Sequence, residues 1–90
     1  MRSLRLSGAF KQDLKRITRR RYPVEKLDQI VDALLASQPL PQTCRPHPLK
    51  GAWKGYHECH ITADWLLIYQ QLPDEVLLAR TGTHSDLFDE

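Results

Sequence analysis

Two stretches, Trp65–Gln71 (WLLIYQQ) and Val76–Gly82 (VLLARTG), leave this chain little choice of fold. Each is an almost unbroken apolar run too short for a buried helix, so each reads as a strand covered on both faces. Only LPDE separates them, and its proline and acids make a turn. Two buried strands need neighbours and a layer of helices, and the first half of the chain supplies the helices. SLRLS alternates as a short first strand, and Ser7 can cap a helix on which Phe10, Leu14 and Ile17 form one apolar stripe. RRRYP ends that helix, because Pro23 forces Tyr22 out of helical geometry. Pro23 then opens a second helix whose buried face is Val24, Leu27, Ile30, Val31, Leu34 and Leu35. SQPLPQ closes the helical hairpin.

From Thr43 onward the period falls to two. GYHECHI places Tyr56, Glu58 and His60 on one face and His57, Cys59 and Ile61 on the other. TAD is a turn, and THSDLF a short terminal turn or helix. The order β-α-α-β-β-β makes residues 1–90 a single α+β domain: an N-terminal strand and a two-helix hairpin packed on a small, mostly antiparallel twisted sheet.

Composition narrows the class. An apolar share of 41% is that of a globular chain, and no apolar run reaches the ~20 residues of a membrane span. The start has no apolar core of a secretory signal, and two cysteines are too few for a disulfide framework, so a reduced, cytoplasmic setting is expected. The net charge of +2 is unevenly spread. Residues 1–22 hold eight Lys and Arg against Asp13 alone, while the rest of the chain is net acidic. Lys15, Arg16, Arg19 and Arg20 on the first helix form a basic face suited to a polyanion or an acidic protein, or simply to water.

The histidines offer three chemistries. Cys44, His47, His57, Cys59 and His60 include zinc-type ligands, but on a strand His57 and Cys59 face away from His60, so no metal is expected. Neither cysteine precedes a helix that would lower its pKa, and serine triads lack their nucleophile elbow. General acid/base work fits better. Cutting RNA internally needs one group to take the 2′-OH proton, one to protonate the departing 5′-oxygen, and a cation for the phosphorane. Imidazoles suit the first two roles and Arg or Lys the third. His47, His60 and His84, with Asp64 at the turn and Arg80 on the last strand, can meet at one cleft.

HPLKGAWKGYHECHITADWLLIY, followed by RTGTHSDLF, resembles the YafQ branch of the RelE/ParE toxin superfamily, whose members carry HPLxGxWKGxxxxHxxxDWxLIY and RTGTHxxLF in that order. The resemblance covers the whole chain and is specific in the second half. It implies a RelE-like fold and a ribosome-dependent endonuclease that cuts mRNA in the A site without a cofactor, silenced by an acidic antitoxin with a DNA-binding head and a tail that folds on the toxin. Position by position it gives catalytic roles to His47, His60, Asp64 and His84. Trp65 and Phe88 fall at aromatic positions that support activity, and Arg80, helped by Lys50 or Lys54, would hold the scissile phosphate. His84 is expected as the acid and His47 or His60 as the base, with Asp64 fixing a tautomer. Rival readings are a ParE-like toxin that poisons a protein without cutting RNA, and a zinc-stabilised nucleic-acid-binding domain. Trp65 also fits the core, Phe88 terminal packing, and Asp64 an Asx-turn.

Overall fold

Ser7 joins the first strand to the first helix and ties both to the last strand. Its Oγ accepts from the Phe10 backbone N–H at 2.9 Å, as a helix cap should, and donates to the Ala79 carbonyl at 2.7 Å. The computed structural model describes residues 2–88. Its elements are β1 (Ser3–Leu6), α1 (Gly8–Arg19), α2 (Val24–Leu35), β2 (His47–Pro48), β3 (His57–Thr62), β4 (Trp65–Gln71), β5 (Glu75–Gly82) and α3 (His84–Phe88). The strands form one sheet in the order β1-β5-β4-β3-β2, with β1 parallel to β5 and the other pairs antiparallel. No helix among the described residues is long and apolar enough to cross a membrane.

The α+β architecture is the one expected, with one strand more. Periodicity could not reveal β2, because it is two residues long and one of them is Pro48. A proline has no N–H for a ladder and is tolerated only at a sheet edge, where β2 lies. The helices also end by a device not anticipated. Arg21 and Ser37 adopt positive φ (60° and 56°), and the N–H groups that follow each helix bond back to its last turn, Tyr22 to Ile17 and Gln38 to Ala33. These are Schellman ends built without glycine.

Both helices lie on one face of the sheet. Phe10, Ile17, Leu27, Ile30, Val31 and Leu34 pack there against Cys59, Trp65, Leu67, Tyr69, Val76 and Leu78. Leu66 and Ile68 point to the other face and are buried as well, which is why β4 reads as a continuous apolar run.

β1 ends at Leu6, leaving the outer edge of β5 open beyond Leu78. Asp13 of α1 fills the gap. Its carboxylate, 2% exposed, accepts from the Thr81 backbone N–H at 3.2 Å and from Arg80 through Nε (2.6 Å) and Nη2 (3.1 Å). The bond raises the Arg80 pKa, so that guanidinium stays charged. Removing one partner of such a pair strands the other charge out of water, which costs about 3–5 kcal/mol. Asp13→Ala should therefore lower stability in urea unfolding by about 3 kcal/mol or more. Arg5→Ala, which breaks the more exposed Arg5–Glu75 pair (3.2 Å), should change it by less than about 1 kcal/mol.

Candidate active site

Strand register assembles the site. His47 on β2 lies opposite Glu58 on β3, Glu58 opposite Ile68 on β4, and Ile68 opposite Arg80 on β5. Paired residues share a face, so these four form a row across the face turned away from α1 and α2. The next row is His60, Leu66 and Gly82. His47 and His60 are diagonal neighbours on adjacent strands, for which Cα atoms lie about 7–8 Å apart. His57, Cys59 and Ile61 alternate to the helix side, as the period of two requires. There the His57 ring stacks on Tyr69 (centroids 5.8 Å apart), and Cys59 is sealed in the core. Burial, reinforced by Cys44 and Glu58, pushes the Cys59 thiol up to about 12, so it is not a nucleophile at neutral pH.

His84 completes the cluster from beyond the end of β5. Its ring centroid lies 6.2 Å from that of His60 and 6.1 Å from Phe88, and its Nδ1 faces Asp64 Oδ1 at 3.6 Å. Asp64 itself sits in the exposed β3–β4 turn. The structure thus brings His60, Asp64, His84 and Phe88 together. His47 stands beside them, its Nδ1 2.9 Å from the Arg45 carbonyl and its Nε2 3.6 Å from Glu58 Oε1. A carbonyl only accepts, so Nδ1 donates to it, while Nε2 faces the Glu58 carboxylate.

Other expected residues lie elsewhere or are otherwise engaged. Trp65 is fully buried; its indole N–H donates to Thr81 Oγ1 at 2.8 Å, and its ring meets Tyr22 edge-on. A sealed indole offers no face to RNA, so Trp65 anchors the turn that carries Asp64. Arg80 shares the site's face, but two of its nitrogens are spent on Asp13. Lys50 and Lys54 are exposed on the loop between β2 and β3. Of the basic face of α1, Lys15 and Arg19 are exposed, whereas Arg16 and Arg20 are structural. Arg20 grips Asp86 at 2.8 and 3.3 Å, and Arg16 reaches both Asp86 and Asp13 at 3.5 Å.

Those bonds explain α3, which is too short to hold itself. Thr83 Oγ1 accepts from the Asp86 N–H (3.2 Å) while Asp86 Oδ2 accepts from the Thr83 N–H (3.0 Å). This is a capping box, legible as Thr83-x-x-Asp86 and missed by a reading focused on histidines. Gly82, at φ 153°, lies so close that a Cβ there would meet Asp86 at 3.0 Å. Glu58, Asp13 and Asp86 are therefore the site's unforeseen residues. Only Glu58 left a further sequence signal, sharing the alternation of His60.

The whole chain carries this arrangement into a known group. Residues 2–89 match the family described as the bacterial toxin of type II toxin–antitoxin systems, YafQ. The chain belongs to the YafQ toxin family. It is 40% identical over 89 residues to the mRNA interferase toxin YafQ of Escherichia coli K12, covering 97% of this chain and 96% of that one. YafQ in the crystal structure of the E. coli DinJ–YafQ toxin–antitoxin complex superimposes with a TM-score of 0.89 at 38% identity, over 97% of each chain. A metal-bound toxin from Helicobacter pylori superimposes at 0.91 and 37% identity, over 98% of this chain and 100% of that one.

In this YafQ-family chain the Arg20 hydrogen bond, aided by Thr83, holds the Asp86 carboxyl down at about 2. A carboxylate whose folded pKa is depressed stabilises the fold above its unfolded value near ~4, and that contribution is lost as pH falls through the folded value. Docking of α3 should therefore be intact at pH 5 and weaken progressively between about pH 4 and 2. The Phe88 ring and Gly82 amide NMR signals should report the loss, and Arg20→Ala should move it to higher pH, the Thr83 bonds remaining.

Proposed function

We propose that this chain cuts mRNA in the ribosomal A site by metal-independent general acid/base catalysis, halting translation. Family membership makes it an mRNA interferase toxin, an endoribonuclease of a toxin–antitoxin system. The observation that carries the mechanism is the meeting of His60, Asp64 and His84, with His47 on the adjoining strand of the same face. Two imidazoles this close can both reach one phosphate, as transfer from 2′-OH to 5′-oxygen requires.

In this reading His84 donates the proton to the departing 5′-oxygen, and Asp64, facing Nδ1, steadies the imidazolium that does so. His47, through Nε2, or His60 takes the 2′-OH proton. The remaining nitrogen of Arg80, with Lys50 or Lys54, offsets the phosphorane charge, and Phe88 gives a base a surface to stack on.

Single changes of His47, His60, Asp64 or His84 to Ala should each lower cleavage by about 10²-fold or more and relieve growth arrest. His57→Ala should cut like wild type, and so should wild-type protein treated with chelator and freed of it before the assay. Primer extension on an mRNA translated with and without the induced protein checks all of this. Loss of cutting in His57→Ala but not in His60→Ala would overturn the assignment. A ParE-like toxin acting on a protein would leave the message intact throughout.

The partner proposed is a cognate acidic antitoxin, as DinJ is the partner of YafQ in the E. coli complex. Lys11, Lys15 and Arg19, exposed along α1, form the face that such a tail or the phosphates of ribosomal RNA would meet. Charge reversal at these three should weaken ribosome binding and flatten its salt dependence, leaving α3 in place. Co-expression with the neighbouring antitoxin should restore growth and yield a stable complex.

A further inference from the structure

A cavity of about 370 Å³ opens beside His60, lined by Thr43 and Arg45 from the loop before β2 and by His60, Ile61, Thr62 and Ala63 from the end of β3. A bulge between His60 and Thr62 shapes its wall. The loop opposite is fixed rather than loose. Cys44 is buried in the core, the Arg45 N–H bonds to the Gln42 carbonyl at 3.1 Å, and Pro46 denies Arg45 the right-handed helical conformation.

Arg45 sits in the left-handed region (φ 47°, ψ 55°), where a side chain other than glycine's is strained. Its carbonyl accepts a hydrogen bond from His47 Nδ1, and the residue lines the cavity beside His60. One residue, bearing a guanidinium, thus touches one candidate catalytic histidine through its backbone and lines the cavity beside another. Among the described residues nothing pairs with that guanidinium. The other site charges are engaged: Arg80 with Asp13, Glu58 with His47, and Asp64 with His84.

We infer that Arg45 is a substrate-binding residue of this site, its guanidinium holding the phosphate next to the scissile one while the adjoining nucleotide occupies the Thr43–Ala63 cavity. The inference rests on the nuclease reading above and deepens it. A permanently charged planar fork is the group best suited to a phosphate that must be held but not transformed. The strained backbone aims the fork and the His47 tautomer together, so RNA bound by Arg45 meets an imidazole already oriented.

Arg45→Gly separates the two roles, because glycine keeps the left-handed backbone at no steric cost and deletes only the fork. On programmed ribosomes this variant should raise KM for cleavage about tenfold with kcat unchanged. The salt slope of log kcat/KM should become shallower by about 0.7, one single-strand phosphate contact. Arg45→Lys should recover most of the loss. A second measurement needs neither ribosome nor cleavage: titration of the free protein with an uncleavable 2′-O-methyl trinucleotide, followed by amide NMR. Shifts at Thr43 and Ile61–Ala63 that vanish in Arg45→Gly support the inference even if the wild type cuts no mRNA, in which case only the nuclease reading fails. Wild-type KM and salt slope in Arg45→Gly, or a titration that leaves those amides unmoved, would overturn it.

Discussion

Alternation along β3 is the constraint on which the rest of the structure depends. Successive side chains of a strand leave by opposite faces, so HECHI must divide its histidines. His57 and Cys59 go to the helices, where stacking on Tyr69 and burial occupy them. Glu58 and His60 go to the other face, where β2 delivers His47 and the end of β5 delivers His84. A slip of one residue would reverse every assignment. The slip is opposed from both sides, because it would bring Glu58 into the core and push Cys59 out.

Two aspartates transmit that register to the end of the chain. Asp13 closes the open edge of β5, and Asp86 is held by Arg16 and Arg20 from the same helix. Between them RTGTH becomes a physical sentence. Arg80 binds Asp13, Thr81 receives the Trp65 indole and bonds on to the Leu66 carbonyl, Gly82 makes room for Asp86, Thr83 caps α3, and His84 then projects toward His60. Thr81, Gly82 and Thr83 build the scaffold, Arg80 joins it through two of its nitrogens, and His84 is left facing the proposed site. The basic charge of α1 is divided in the same way, with Arg16 and Arg20 used internally and Lys11, Lys15 and Arg19 left for partners.

Periodicity was sufficient for the layers and for the division of histidines in β3, because burial imposes it residue by residue. The convergence of His47, His60, Asp64 and His84 was legible only through two motifs, since it depends on how β2 and α3 are placed, and neither is long enough to have a period. What stayed hidden were the charges that find each other across the chain. Asp13 and Arg80 are 67 positions apart, and Arg20 and Asp86 are 66 apart. Sequence spacing carries no trace of such pairs, so Arg16, Arg20 and Arg80 looked equally free. Trp65 fitted the core and a stacking position alike in the sequence, and the packed sheet decides for the core, with the ring meeting Tyr22 edge-on.

In the proposed reaction an imidazole pair drives attack by the RNA's own 2′-OH. That route conserves the phosphodiester at the cut until water opens it, and the chemistry is written in the ends. Mass spectrometry of fragments from a short message cut on programmed ribosomes reads those ends directly. A 2′,3′-cyclic phosphate, or the 3′-phosphate it opens to, upstream and a 5′-hydroxyl downstream are the predicted products. A 3′-hydroxyl with a 5′-phosphate would mean that water attacked instead, and that the imidazole pair does not drive the cut.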